Sequence, residues 1–262
     1  MAASKSTGRN RPRDYRCRDG AWRPPRPEGL ARVLAKAGYG SRPRAEEMVG
    51  LGRVAVDGVV VTDPGHAVDR GSDIRLDGEV LREAARRYLV MHKPAGVACA
   101  PTGSHRWIGH FLPRDAVGLE PVGRLDNRNR GLLLVTNDQW WRTAVAQSES
   151  LPRRYRVTVA GAVPPLALDL MRAGVAVPGQ GRFRPTELQL VATDSQRTVV
   201  DVTLPGSHHR AVAAAFQMLR HEVMAVVRTG LGPVRLGDLA AGEWRDLTPD
   251  EVQQLDRQRR HG

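Results

Sequence analysis

The run Val122-Gly123-Arg124-Leu125-Asp126-Asn127-Arg128-Asn129-Arg130-Gly131-Leu132-Leu133-Leu134-Val135-Thr136-Asn137-Asp138 carries the densest information in the chain. It sets one carboxylate, Asp126, among Arg124, Arg128 and Arg130, directly ahead of four apolar residues. The unbroken apolar stretch Leu132–Val135 reads as a central strand covered on both faces. Neighbouring cations favour the ionised form of a carboxylate, which gives Asp126 the character of a nucleophile or base. Arginines around it suit a polyanionic substrate whose phosphates they hold. Read locally, the same residues also fit a turn-forming Asp bonded to its own backbone, with the arginines merely solvated. The rest of the chain has to choose between the two.

Composition narrows the partner. Forty Lys and Arg face 28 Asp and Glu in 262 residues, a formal charge of +12, with a sequence pI near 10.9. Such a field attracts polyanions, nucleic acid foremost. No run of about 18 apolar residues exists, so no membrane partner is expected. Cys17 and Cys99 stand far apart without metal-ligand spacing, and the histidines form no HExxH pattern; neither a metal nor a disulfide framework is expected. A P-loop and a dinucleotide fingerprint are both missing, so no nucleotide cofactor has a seat. With no apolar secretory core at the N-terminus, the reading is a cytoplasmic protein.

The chain divides by composition. Residues 1–27 are an arginine-rich arm opposed only by Asp14 and Asp19, too polar and proline-rich to pack a core. Residues 28–81 form a small α+β unit. Leu30, Val33, Leu34 and Ala37 fall at helical spacing before Gly38, and Ser41 can cap a second helix carrying Ala45, Met48 and Val49. Val54-Ala55-Val56, Asp57-Gly58, Val59-Val60-Val61 predicts a hairpin with a two-residue type I′ turn, and Asp77-Gly78 repeats the signal. Arg32, Lys36, Arg42, Arg44 and Arg53 lie on or beside the helix pair, where they can form one basic face. Residues 82–87 read as a linker, 88–250 as a larger α+β domain, and 251–262 as a C-terminal tail. In the larger domain, strands separated unevenly by helices and hairpins predict a mixed, mostly antiparallel sheet.

Two resemblances follow. Gly38-Tyr39-Gly40-Ser41-Arg42 and Gly52-Arg53-Val54-Ala55-Val56-Asp57-Gly58 make the small unit similar to the alpha-L RNA-binding domain. That implies an RNA-binding role for Arg32, Lys36, Arg42, Arg44 and Arg53. The ordered set Lys93-Pro94-Ala95-Gly96, Gly123-Arg124-Leu125-Asp126, Arg154-Tyr155 and Gly232-Pro233 resembles the ribosomal-RNA pseudouridine synthases that carry such a domain, over roughly residues 29–250. The resemblance implies uridine isomerisation in ribosomal RNA, free or in an assembly intermediate, by a monomer without metal or organic cofactor. Asp126 matches the family nucleophile, Tyr155 the tyrosine that lies against the flipped base, and Arg124 falls in the same substrate-binding motif. Lys93 matches a family turn, implying structural support or a phosphate contact; the plain alternative is a turn lysine in water.

The sequence also departs from that family. Asn129-Arg130 replaces Thr-Ser, and Arg153 replaces Lys. In Pro205-Gly206-Ser207-His208-His209-Arg210-Ala211-Val212-Ala213-Ala214, Val212 and Ala213 occupy the positions where a basic partner of the catalytic carboxylate is expected. Arg124, Arg128, Arg130, His209, Arg210 and Arg228 are the candidates to replace it. A competing reading, a non-catalytic RNA-binding or ribosome-assembly protein on a decayed synthase scaffold, rests on this segment.

Overall fold

The computed structural model describes residues 27–260, apart from 70, 102–105, 114–115, 180 and 207–208 and the side chains of 209 and 210. The basic arm, except Pro27, and the side chains of His209 and Arg210 lie outside the described residues. Two compact units meet in sequence at Ala85–Arg86.

The small unit runs β1 (Glu28–Gly29), α1 (Leu30–Lys36), α2 (Arg42–Gly50), β2 (Val54–Val56), β3 (Val59–Val61), β4 (Ala67–Val68), β5 (Ile74–Leu76) and β6 (Glu79–Val80). Leu30, Val33 and Leu34 repeat at i, i+3, i+4, so they share one face of α1. That face meets Met48 and Val49 of α2 and Val54 and Ile74 of the ribbon in a single core. Strands β3-β2-β5-β6 form an antiparallel sheet. Its two turns are built on Asp57 (φ 50°) with Gly58 (φ 83°) and Asp77 (φ 49°) with Gly78 (φ 85°). Positive φ at both central residues is what a type I′ turn requires.

Of the six residues read as linker, Ala84 donates its amide to the Ala37 carbonyl of the small unit, while Arg87 donates its amide to Asn137 Oδ1 of the larger one. Each end of the segment is therefore tied down to a different unit.

The larger unit runs β7 (Tyr88–Lys93), β8 (Glu120–Pro121), β9 (Arg130–Thr136), α3 (Gln139–Gln147), β10 (Arg153–Ala160), α4 (Pro165–Ala173), β11 (Val175–Val177), β12 (Gly181–Phe183), β13 (Glu187–Thr193), β14 (Arg197–Leu204), α5 (His209–Met218), β15 (Val223–Leu231), β16 (Val234–Arg235), β17 (Trp244–Asp246) and α6 (Pro249–Arg260). The main sheet has the order β13-β14-β10-β15-β9-β7-β17, with β16 on β15 and β8 on β9. All its pairings are antiparallel except β9 with β15, so the sheet is mixed and mostly antiparallel. Along β9, Leu132 and Leu134 enter one core with Trp141 and Leu255, while Leu133 and Val135 enter another with Met91, Cys99 and Leu125. Both faces of the strand are covered, the arrangement its unbroken apolar run implies.

Two helices differ from the sequence reading. Asp138, the last residue of the opening run, caps α3: its Oδ1 accepts the Trp141 amide at 3.0 Å, and Trp141 and Val145 bury one face. Residues 251–262, set aside as a tail, belong largely to α6, which is polar but anchors Leu255 completely. Its N-terminus is a capping box. The Thr248 hydroxyl accepts the Glu251 amide at 3.1 Å, and the Glu251 carboxylate accepts the Thr248 amide at 2.9 Å. That carboxylate also takes two 2.8 Å bonds from Arg245 of β17. Arg245 foremost holds Glu251 below the usual carboxylate range.

Loss of this cap costs about 1 kcal/mol, so Thr248→Ala is expected to lower the melting temperature measurably. Because the Glu251 pKa is lowered on folding, its contribution is present above the ordinary glutamate range and disappears as pH falls through the lowered value. Thermal melts of Glu251→Gln should therefore lie below wild type at pH 7 and converge with it in acid.

Candidate active site

Asp126 lies on the loop between β8 and β9, and its backbone is fixed on both sides. Leu125 is driven into the core, where its amide bonds Cys99 Sγ at 3.4 Å and its carbonyl accepts from the same thiol at 3.3 Å. On the other side, the Asn127 carbonyl accepts the Gly96 amide at 2.7 Å, and the Asn129 amide closes a turn onto the Asp126 carbonyl at 3.0 Å. The Asp126 side chain is left half-buried. The Lys93-Pro94-Ala95-Gly96 turn is thereby docked against the Asp126 loop by backbone geometry alone.

Beneath that loop the chain buries cations. Lys93, at the end of β7, is wholly inaccessible, and its Nζ donates to the Pro94 carbonyl at 2.9 Å and the Val97 carbonyl at 2.6 Å. Burial pushes its ammonium below the usual lysine range, and the Arg228 charge adds to that; Cys99 and Asp126 pull it back up. The reading of Lys93 as a solvated turn residue is thus overturned, because the turn folds its stem inward.

Arg228 of β15 is also buried, its Nε donating to the Leu132 carbonyl at 2.7 Å, while its Nη2 finds no hydrogen-bond partner among the described residues. Register places it opposite Gly131 on β9 and opposite Tyr155 on β10. Tyr155 is 1% exposed and packed in the core with Val157, Val202 and Phe216. Burial raises its phenol, opposed by the charges of the Arg228 and Arg153 guanidinium groups. In this state its ring presents no face to solvent.

Of the candidates for a basic partner of Asp126, the side chains of His209 and Arg210 lie outside the described residues. Val212 is fully buried, and Ala213 packs against the same core as Tyr155. Arg124, Arg128 and Arg130 are exposed, while Val122 and Leu125 of the same loop turn inward. Lys93 is buried, and the nearby Asp126 charge raises its ammonium against the lowering by burial. Arg153 serves elsewhere: its guanidinium binds the carbonyls of Val145, Ala146, Ser148 and Leu151 at 2.7–3.4 Å, closing the C-terminal end of α3. Its pKa falls to about 10, chiefly by burial.

On the small unit the five basic residues are each paired with an acid. Arg32 and Lys36 face Glu28, Arg42 faces Glu46, Arg44 faces Glu47 and Arg53 faces Asp77. The five cations are thus compensated within the unit. Sequence reading missed this because the acids are separated from their partners by a helical turn or by a whole hairpin.

Comparison with known proteins identifies the class. The S4 domain matches residues 28–74, and RNA pseudouridylate synthase matches residues 87–222. The chain belongs to the RNA pseudouridine synthases, isomerases that act on RNA, and carries an RNA-binding S4 domain at its N-terminal side. It is 30% identical over 240 residues to ribosomal large subunit pseudouridine synthase B of Bacillus subtilis, covering 90% of this chain and 98% of that one. An uncharacterized RNA pseudouridine synthase of Mycobacterium tuberculosis is 35% identical over 241 residues, 89% of this chain and 94% of its own length. A crystal structure of a pseudouridylate synthase shares the fold, with a TM-score of 0.59 at 24% identity over 87% of this chain and 99% of that one.

Gly131 carries the tightest constraint in the site. At φ 113°, an added Cβ would lie 2.3 Å from the Arg228 carbonyl oxygen and 2.6 Å from its amide nitrogen. Gly131→Ala is expected to destabilise by several kcal/mol through backbone strain and displacement of β15. Denaturant unfolding checks this; a change below about 1 kcal/mol would contradict the contact.

Proposed function

We propose that this protein converts a specific uridine of ribosomal RNA to pseudouridine, with Asp126 as the nucleophile. The observation that carries the reading is a half-exposed carboxylate, locked by its own backbone over buried cations and rimmed by the exposed Arg124, Arg128 and Arg130. The rim suits RNA phosphates, and the fixed loop keeps the reacting atom in place without reorganisation. In the reaction the uracil–ribose C–N bond breaks, and a carbon–carbon bond forms to the turned base. A proton leaves uracil C5 while the released nitrogen gains one. Atoms balance within the nucleotide, so no redox partner enters.

A base inside a stack cannot be processed, so the target nucleotide is extruded. Tyr155 is the side chain assigned to lie against it, which requires its present cover to move aside. Arg124 contributes a phosphate or sugar contact at the rim. Ribosomal RNA is proposed as the substrate class because relatives are named for the ribosomal large subunit. The enzyme is taken to act in the cytoplasm as a monomer, on free RNA or an assembly intermediate. The non-catalytic alternative drew its force from Val212 and Ala213, and the buried Lys93 and Arg228 supply positive charge by another route.

The S4 unit is assigned non-specific RNA affinity through Arg32, Lys36, Arg42, Arg44 and Arg53. Exposed ion pairs are worth only about 0.2–1 kcal/mol, so exchanging Glu46 or Asp77 for a phosphate costs little. Arg42→Ala with Arg53→Ala is expected to weaken RNA binding and to flatten the dependence of log K on log salt by about one unit per lost phosphate contact. Filter binding over a salt series reads both effects.

Function is tested by mapping pseudouridine in ribosomal RNA from cells lacking the gene, complemented with wild type or Asp126→Asn. One site should vanish on deletion, return with wild type and stay absent with the variant. Restoration by Asp126→Asn would overturn the nucleophile assignment, and an unchanged map on deletion would overturn the substrate class.

A further inference from the structure

We propose that Arg154 and Arg235 form a clamp that grips one backbone phosphate of the bound RNA. The inference rests on the RNA substrate proposed above and adds a contact away from the Asp126 loop.

Strand register brings the two side chains together. Glu187 of β13, Thr203 of β14, Arg154 of β10, Gly230 of β15 and Arg235 of β16 pair in turn across adjacent strands. Residues directly opposite in an antiparallel ladder share a face and interact. Arg154 and Arg235 are therefore separated by a single strand, and the residue between them is a glycine. An added Cβ on Gly230 would lie 3.4 Å from Arg154 Nη1 and 3.5 Å from its Cδ, so the arginine lies across the glycine. Both guanidinium groups then end on one atom. Arg154 Nη1 donates to the Gly232 carbonyl at 2.8 Å, and Arg235 Nη1 donates to the same oxygen at 3.0 Å. The acceptor is itself held in place, because the Gly232 amide bonds the Pro152 carbonyl at 2.8 Å.

One neutral carbonyl orients two cations without answering their charge. Neither arginine forms an ion pair among the described residues. The adjacent row of the sheet shows the self-contained alternative: Arg156 lies opposite Asp201 and bonds its carboxylate twice, at 2.8 and 2.7 Å. In the arginine row the acid is Glu187, which stands beyond Thr203 and accepts its hydroxyl at 3.1 Å. Burial foremost, then the Arg235 charge, pushes the Arg154 guanidinium below the usual arginine range, with Glu187 opposing both. Arg235 is exposed and Arg154 half-buried, so a ligand can reach the pair. A guanidinium has five N–H donors, and only the Nη1 of each is engaged among the described residues. The remaining Nε and Nη2 donors form the planar fork that takes phosphate oxygens in pairs. RNA supplies that phosphate, being the anion on which this family acts.

The test is filter binding over a salt series to a transcribed fragment of large-subunit ribosomal RNA. The full-length proteins compared are wild type, Arg154→Ala, Arg235→Ala, the double variant, Glu187→Gln and Arg197→Ala, the last removing an exposed arginine at the other end of β14. Each single clamp variant is expected to bind roughly tenfold more weakly, the scale of one charge-assisted hydrogen bond, with the salt slope kept by the remaining arginine. The double variant should lower the slope of log K against log salt by about one unit, the signature of one phosphate. A slope unchanged in the double variant would overturn the clamp, as would a loss already complete in either single variant. A loss of about two units would do the same, since it means two separate phosphates. Equal weakening by Arg197→Ala would also overturn it, because net charge alone then explains the effect. Should the double variant fail to fold by circular dichroism, Glu187→Gln decides: relieved of its acid, the row should bind RNA roughly threefold more tightly, the scale of one exposed charge, and unchanged or weaker binding would overturn the clamp. An unchanged pseudouridine map on deletion of the gene would instead overturn the ribosomal substrate. The slopes, which do not depend on sequence, still decide the clamp in that case.

Discussion

The sheet of the larger unit is two antiparallel halves joined where β9 lies parallel to β15, with Arg130 opposite Val227 and Gly131 opposite Arg228. Everything in the site depends on this short junction. The strand that follows Asp126 belongs to one half, and Arg228 and Tyr155 belong to the other. Gly131 permits the approach because it has no Cβ, and its positive φ turns the strand as it enters the pair. A side chain there would collide with the Arg228 backbone rather than with a flexible group that could yield. The junction therefore fixes the separation between the nucleophile's strand and the tyrosine's strand.

Charge is arranged against the usual trend of folded proteins. Lys93, Arg153 and Arg228 are all buried, and burying a cation is expensive unless its hydrogens are satisfied and its charge answered. Backbone carbonyls supply the first requirement: six of them, from Pro94, Val97, Val145, Ala146, Ser148 and Leu151, receive Lys93 and Arg153. Arg153 is a structural clamp on α3. Around Lys93 and Arg228, the carboxylate that acts on Lys93 among the described residues is Asp126. Buried cations near a half-exposed carboxylate are a setting that suits an anionic substrate. The S4 unit shows the opposite arrangement, with its cations already paired and exchangeable for phosphate at small cost.

Much of this was legible in the sequence. The two Asp-Gly turns, the helix pair and the doubly covered β9 follow from periodicity and turn chemistry, and Gly123–Asp126 with its flanking motifs pointed to the class. The rest was hidden for physical reasons. Helix α3 contains two tryptophans and a threonine, poor helix formers whose placement is set by Asp138 and by packing. Helix α6 buries Leu255 but is otherwise polar, so it reads as a tail, although Thr248 and Glu251 spell out its cap. Which arginines face Asp126 was not readable either. Sequence proximity put Arg124, Arg128 and Arg130 beside it, and the loop leaves them exposed, while a buried cation that feels the Asp126 charge, Lys93, comes from thirty-three positions away in the chain. A side chain's direction in an irregular loop is decided by tertiary contacts such as Leu125 with Cys99, which no local pattern announces.

The central claim is that a carboxylate at position 126 drives the exchange of a C–N for a C–C bond on uracil. Isomerisation removes the hydrogen at uracil C5, so RNA labelled there with tritium releases its label to water once per product formed. Purified wild type should release one equivalent per target uridine in ribosomal RNA, and Asp126→Asn, folded and binding the same RNA, should release none. Equal release by the two proteins, or none by wild type on any ribosomal RNA, would contradict the account.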